Sequence, residues 1–303
     1  MPLSTKSMNR ILPYITLLAL TLLSYGSYAQ DDLFSLLEET SEPIDDKVIA
    51  TFKGTRVILG HSVKTREHRE LEFLISHRFG RINTGAHNFF GLDDAFIRLG
   101  LEYGVTDALD IGIGRSSFDK SFDGFAKYKL LQQTTSSMPI SLVAMTSMAI
   151  RTTPRELEDP LDEFKDRLAY SYQLIIGRKF SPGFSFQLSP TIVNKNLVNA
   201  LTEENTVFAI GAGLRQKLTQ SLTLNLEYYY RVNENDDNPN LNPISIGFDI
   251  ETGGHVFQLH FTNSTQTIER AFITENGDDF WDGDIHFGFN ISRTFQFGGK
   301  KER

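Results

Sequence analysis

Asp284-Ile-His-Phe-Gly-Phe-Asn-Ile-Ser-Arg-Thr-Phe-Gln-Phe297 decides the fold. Ile285, Phe287, Phe289, Ile291, Phe295 and Phe297 fall on one face of an extended chain. His286, Gly288, Asn290, Ser292, Thr294 and Gln296 fall on the other. This is period-two alternation, and it is long and strongly apolar on one side. It suits a strand with one face in lipid and one in water. Behind a secretory signal, it reads as the closing strand of an outer-membrane β-barrel.

The same alternation recurs upstream. Leu222, Leu224, Leu226, Tyr228 and Tyr230 oppose Thr223, Asn225, Glu227, Tyr229 and Arg231. Ile244, Ile246, Phe248 and Ile250 oppose Ser245, Gly247, Asp249 and Glu251. Thirteen strands are readable, at 55–63, 69–79, 94–104, 107–116, 123–133, 139–150, 167–180, 183–195, 205–218, 221–232, 242–251, 254–263 and 284–297. Short and long connections alternate between them. Short turns are periplasmic and long loops extracellular in such barrels, which gives each strand a direction. Twelve antiparallel strands, from 69–79 to 284–297, then close with both ends periplasmic. Segment 55–63 is left over and is expected to enter the lumen or cover its periplasmic mouth. A soluble β-sandwich also alternates. Strands of ten or more residues and aromatic residues at strand ends (Phe79, Tyr103, Phe180, Phe184) favour the membrane barrel. Pro190 falls inside a strand, where a bulge is expected.

Residues 1–29 form a signal segment, with Lys6 and Arg10 before an apolar core and Ser27-Tyr28-Ala29 as the cleavage site. Its removal takes away two positive charges and moves the net charge from −8 to −10. An acidic chain argues against nucleic acid as a partner. There is no cysteine, so neither disulfide nor thiolate chemistry is present. Residues 31–40 have the pattern of a short amphipathic helix, and 41–46 that of a linker. The expected organisation is 1–29 signal, 30–63 periplasmic and lumen-entering segment, and 64–303 barrel.

The inward phase carries both charge signs: Arg98, Glu102, Lys127, Lys129, Glu227, Arg231 and Asp249, with Glu72, Arg78, Asp110 and His260. Such a lining reads either as a selectivity filter or as salt-bridged filling that closes the barrel. Twelve strands lie between the filled eight-stranded and the open sixteen-stranded cases. Three acidic stretches, 156–166, 234–237 and 275–284, fit solvated loops or loops bridged to lipopolysaccharide by loosely held cations. None has calcium-loop spacing. No catalytic motif is present, and neither metal nor cofactor is expected. His77 has the height of a rim catalytic residue but fits the interfacial belt. His61 and Ser62 are adjacent and point apart on a strand.

Several stretches resemble a family of Gram-negative outer-membrane β-barrels known as domain of unknown function 5777. They include Gly54-Thr-Arg-Val-Ile58, Gly60-His-Ser-Val63, Ile75-Ser-His-Arg-Phe-Gly80, Tyr103-Gly-Val-Thr-Asp107 and Asp123-Gly-Phe-Ala-Lys-Tyr-Lys-Leu-Leu131. The resemblance implies a barrel in the outer membrane, and no substrate or catalytic residue. The expected function is a narrow, non-enzymatic channel for small polar solutes or ions. The alternative is a closed structural or surface-interaction barrel. Expected partners are outer-membrane lipid, lipopolysaccharide and the barrel-assembly machinery.

Overall fold

The computed structural model describes residues 45–153, 163–198, 201–233, 238–252 and 255–297. The signal segment, the helix expected at 31–40, the acidic stretch 234–237, most of 156–166 and the tail 298–303 lie outside the described residues. Twelve antiparallel strands form one closed barrel in sequence order. They are β1 Glu70–Arg81, β2 Ala95–Gly104, β3 Leu109–Ser116, β4 Phe122–Leu131, β5 Ser141–Ile150 and β6 Leu168–Lys179. They continue as β7 Phe184–Lys195, β8 Thr206–Lys217, β9 Leu222–Arg231, β10 Ile244–Thr252, β11 His255–Thr262 and β12 His286–Gln296. Pairing of β12 with β1 closes the sheet, with Asn290 opposite Ser76 and Phe289 opposite His77. Closure removes every sheet edge, which a β-structure in lipid requires because no water is there to satisfy a free edge.

The faces follow the sequence alternation. Ile113, Tyr128, Tyr172, Phe208 and Tyr230 are exposed on the outside. Gly288 and Asn290 are buried on the inside of β12. His77 lies outside, stacked on Phe289 at 5.0 Å and against Phe79 at 4.4 Å.

Segment 55–63, left out of the wall, enters the lumen, where the amides of Ile58, Leu59 and Gly60 meet Glu227. Two expectations are corrected. Pro190 makes no bulge: Gln173 faces Thr191 and Ile176 faces Leu188, one register on both sides. Leu174, Ile175, Ser189 and Pro190 instead drop out of the β6–β7 ladder, since proline has no N–H to donate. Register shifts occur between Arg78 and Arg81 and between Lys129 and Leu131. The connection from β11 to β12, expected only as a long loop, is not irregular throughout. It contains helix α1, Glu269–Thr274, and all six of its residues are buried.

The outward position of Phe289 is testable. Phe289→Arg places a cation on the lipid side and is expected to cost about 2–4 kcal/mol of folding stability if the site is near mid-bilayer. Phe289→Leu should cost far less. Equal losses on denaturant titration in lipid vesicles would refute the outward assignment.

Candidate functional site: a lumen filled from both ends

The chain before β1 crosses the short-turn rim of the barrel. Lys47 bridges Thr134, and Val48 N–H donates to Gln133 O at 2.8 Å. Asp45 accepts from Ser136 and Ser137 in the same turn. Hydrogen bonds from Ser137, Thr134 and Ser136 hold its carboxyl well below the ordinary aspartate value.

Residues 54–63 then form a hairpin inside the lumen. Ser62 N–H donates to Thr55 O, and Val57 N–H to Gly60 O, both at 2.9 Å. Ile58 and Leu59 make the tip. Neither has a positive φ, so the tip is not the type I′ or II′ turn of a free-standing two-residue hairpin. The wall supplies what the turn lacks. The Glu227 carboxylate accepts from three successive amides, Ile58 at 3.2 Å, Leu59 at 2.6 Å and Gly60 at 3.1 Å. Successive N–H groups make a concavity that favours an anion. Gly60 permits the approach, since a Cβ there would lie 1.9 Å from Tyr229 Oη.

The rest of the hairpin is held likewise. Gln187 accepts from Val63 N–H at 3.2 Å and donates to His61 O at 2.8 Å. Asn290 donates to Ile58 O at 2.9 Å. Lys127 Nζ donates to Ser62 O at 3.0 Å and Lys64 O at 2.7 Å. Asp110 accepts from Arg66 N–H at 2.7 Å. Arg56 pairs with Glu102 at 2.7 Å, and Arg66 with Glu72 at 3.4 Å. Apolar packing accompanies these bonds. Val57, Ile58, Leu59 and Val63 form one buried cluster with wall residues Phe125, Val143, Met145, Ile175, Val193 and Val207. Each of the larger side chains contributes about 1.5–3 kcal/mol when fully buried.

The opposite end is closed by α1 and its flanks. Phe272 meets Tyr229 edge-on at 5.1 Å, and Ile268 and Ala271 pack with Ala149. Hairpin and cap touch each other. Arg56 Nη1 lies 2.9 Å from His61 Nδ1, and His61 Nε2 lies 3.4 Å from Glu269 Oε1. Since the guanidinium can only donate, Nδ1 accepts and Nε2 carries the proton towards Glu269.

The residues read as a selectivity lining are on the inward phase, but six of the seven are buried rather than facing an open bore. Arg98 makes a two-point pair with Asp123, at 2.9 and 2.5 Å. Glu102, Lys127 and Glu227 hold the hairpin. Asp249 accepts from Gln258 at 2.7 Å. Arg231 bonds the β9–β10 loop at Asn240 O. Lys129 stands apart near the short-turn end, partly exposed, 3.4 Å from Asp107 O. His61 and Ser62 are both buried, and Ser62 Oγ donates to Gly54 O rather than to the imidazole.

Sequence reasoning missed Gln187, Asn290 and Asp110 as hairpin ligands, and the buried role of 264–276. One signal was readable. Inward glycines face hairpin side chains: a Cβ on Gly177 would lie 2.6 Å from Val63, and one on Gly213 3.1 Å from Val57. A water-filled bore needs neither those glycines nor inward Val143, Ile175 and Val193. The seat can be checked by labelling, because the chain has no native cysteine. Leu59→Cys alone should resist a water-soluble maleimide. Adding Gly60→Val should expel the tip and make the thiol reactive; unchanged protection would refute the seat.

Among comparisons with solved structures, the NanC porin is 8% identical, covering 75% of this chain and 100% of its own, with TM-score 0.47. The KdgM porin is 8% identical, covering 76% and 99%, with TM-score 0.43. A triple mutant of the Rhodopseudomonas blastica porin is 10% identical, covering 66% and 55%, with TM-score 0.33. No curated protein matches. Residues 52–295, from the first lumenal residues to the end of β12, match the family described as "Membrane bound beta barrel domain (DUF5777)". The chain belongs to that family of membrane-bound β-barrel domains.

Proposed function

We propose that this protein is a gated conduit for small polar solutes in the bacterial outer membrane, closed at rest by its own N-terminal hairpin. Short turns then face the periplasm and long loops the exterior, as in other barrels of this kind. It acts without enzymatic chemistry, and its standing partners are outer-membrane lipid, lipopolysaccharide and the assembly machinery that inserts it.

The observation that carries the reading is the seat of the hairpin. It is held by polar wall groups at Glu227, Gln187, Lys127 and Asp110. If the hairpin leaves and the cap it touches is released with it, the same groups face water and line a polar path. The filler is covalently tethered to β1 and crosses the periplasmic rim, so it has a route out. One observation favours a second reading, a permanently closed barrel: the hairpin is packed against the cap through His61 and Glu269.

Planar-bilayer recording separates the two. The wild-type protein is expected to show no steady conductance. Glu227→Ala leaves three buried amides without an acceptor, each a penalty of about 1–3 kcal/mol. That variant, and Gly60→Val, should show conductance steps. Steady porin-like current through the wild type would overturn closure. Silence of both variants, with the barrel shown folded by circular dichroism, would select the permanently closed barrel.

A further inference from the structure

A polar cavity of about 180 Å³ lies at the long-loop mouth. It lies between the ends of β5, β6 and β7 and helix α1. Arg151 follows β5 on its inward phase, and Lys195 points inward from β7. Arg270 and Glu275 come from α1 and its C-terminal end. The lining carries four cations, Arg151, Arg167, Lys195 and Arg270, against Asp166, Glu203 and Glu275.

Much of this charge is paired. Lys195 meets Glu203 at 3.0 Å and Glu275 at 3.6 Å. Arg270 meets Glu275 at 2.9 Å and Asp119 at 2.7 Å. Two donors of the lining find no partner among the described residues. The Nε–H groups of Arg270 and Arg151 are buried without a hydrogen-bond partner, and Arg270 is only 5% exposed. Buried polar groups are nearly always paired, so each exception asks for a missing partner. Guanidinium nitrogens only donate, so that partner is an acceptor, and a carboxylate is the acceptor that a guanidinium binds most strongly. Glu203 and Glu275 could accept from hydroxyl groups on the same ligand. The volume is below the roughly 300–1,000 Å³ of drug-sized sites, which limits the ligand to a small solute.

We propose that this cavity binds a small hydroxylated carboxylate, of the sugar-acid class, at the mouth of the barrel. The orientation towards the exterior rests on the function proposed above. The site itself does not, since its binding is measured without current. A lipid headgroup is the less apt source, because Lys195 and α1 lie on the lumen side of the wall. The ligand would touch the helix whose Glu269 and Phe272 contact His61 and Tyr229. A bound solute would thereby bear directly on the cap over the hairpin.

The test is calorimetric titration of the full chain in lipopolysaccharide-free detergent micelles with D-glucuronate, D-glucose and inorganic phosphate. Glucuronate should bind saturably. Glucose, which lacks the carboxylate, and phosphate, which lacks the hydroxyls, should each bind at least about tenfold more weakly, a difference easily read in Kd. Arg270→Gln should weaken glucuronate binding by a similar factor, but it also loosens the cap. Arg151→Gln is therefore decisive, because Arg151 makes no ion pair among the described residues. It should also lose about tenfold. No saturable glucuronate binding, unchanged affinity in Arg151→Gln, or equal affinity for glucose would overturn the proposal. So would binding of lipopolysaccharide without glucuronate. A protein that binds glucuronate but never conducts would leave this site standing and defeat only the conduit.

Discussion

The contact between Glu227 and the amides of Ile58, Leu59 and Gly60 is the one on which the arrangement of the lumen depends. A peptide carried deep into a barrel brings N–H and C=O groups that the wall ladder does not satisfy, because the wall strands already pair with one another. Each must find a partner or incur desolvation. A carboxylate with several lone pairs can take three donors that no single neutral group could. The same contact offsets the burial of Glu227 itself, whose charge would otherwise lie unpaired at the centre of the molecule. Gly60 and the inward glycines Gly177 and Gly213 set how close the hairpin can come.

Around that contact, apolar side chains lie on both surfaces of the barrel. Its outer face meets lipid. Its inner face, at Val143, Ile175, Val193 and Val207, meets the hairpin and cap. Twelve strands enclose a space that wall side chains alone do not fill, in contrast to the smallest barrels. Two chain segments complete the filling, one from before β1 and one from between β11 and β12. They meet at His61 and Glu269. Displacing either one would expose part of the other.

The charged lining takes its meaning from the same packing. Glu102, Lys127 and Glu227 were readable as inward, and inward they are. Their partners are hairpin atoms rather than passing ions: Arg56 for Glu102, two carbonyls for Lys127 and three amides for Glu227. Mixed signs at these positions match mixed donors and acceptors on a peptide backbone.

The sequence by itself determined the wall. Period-two alternation sorted Phe287, Phe289 and Ile291 from His286, Gly288 and Asn290. The short–long rhythm of connections counted twelve strands and excluded 55–63 from them. These are local signals, carried within ten or so residues, and neighbouring strands can satisfy them one pair at a time. Pro190 was misread because strand pairing tolerated the missing N–H by dropping bridges without a change of register. Only the tertiary structure decided what fills the bore. Glu227 and Leu59 are 168 residues apart, and Asn290 and Ile58 are 232 apart. No periodicity links such positions. Closure of the barrel brings them together, and a buried charge or amide is specified by the neighbour it meets rather than by its place in the chain.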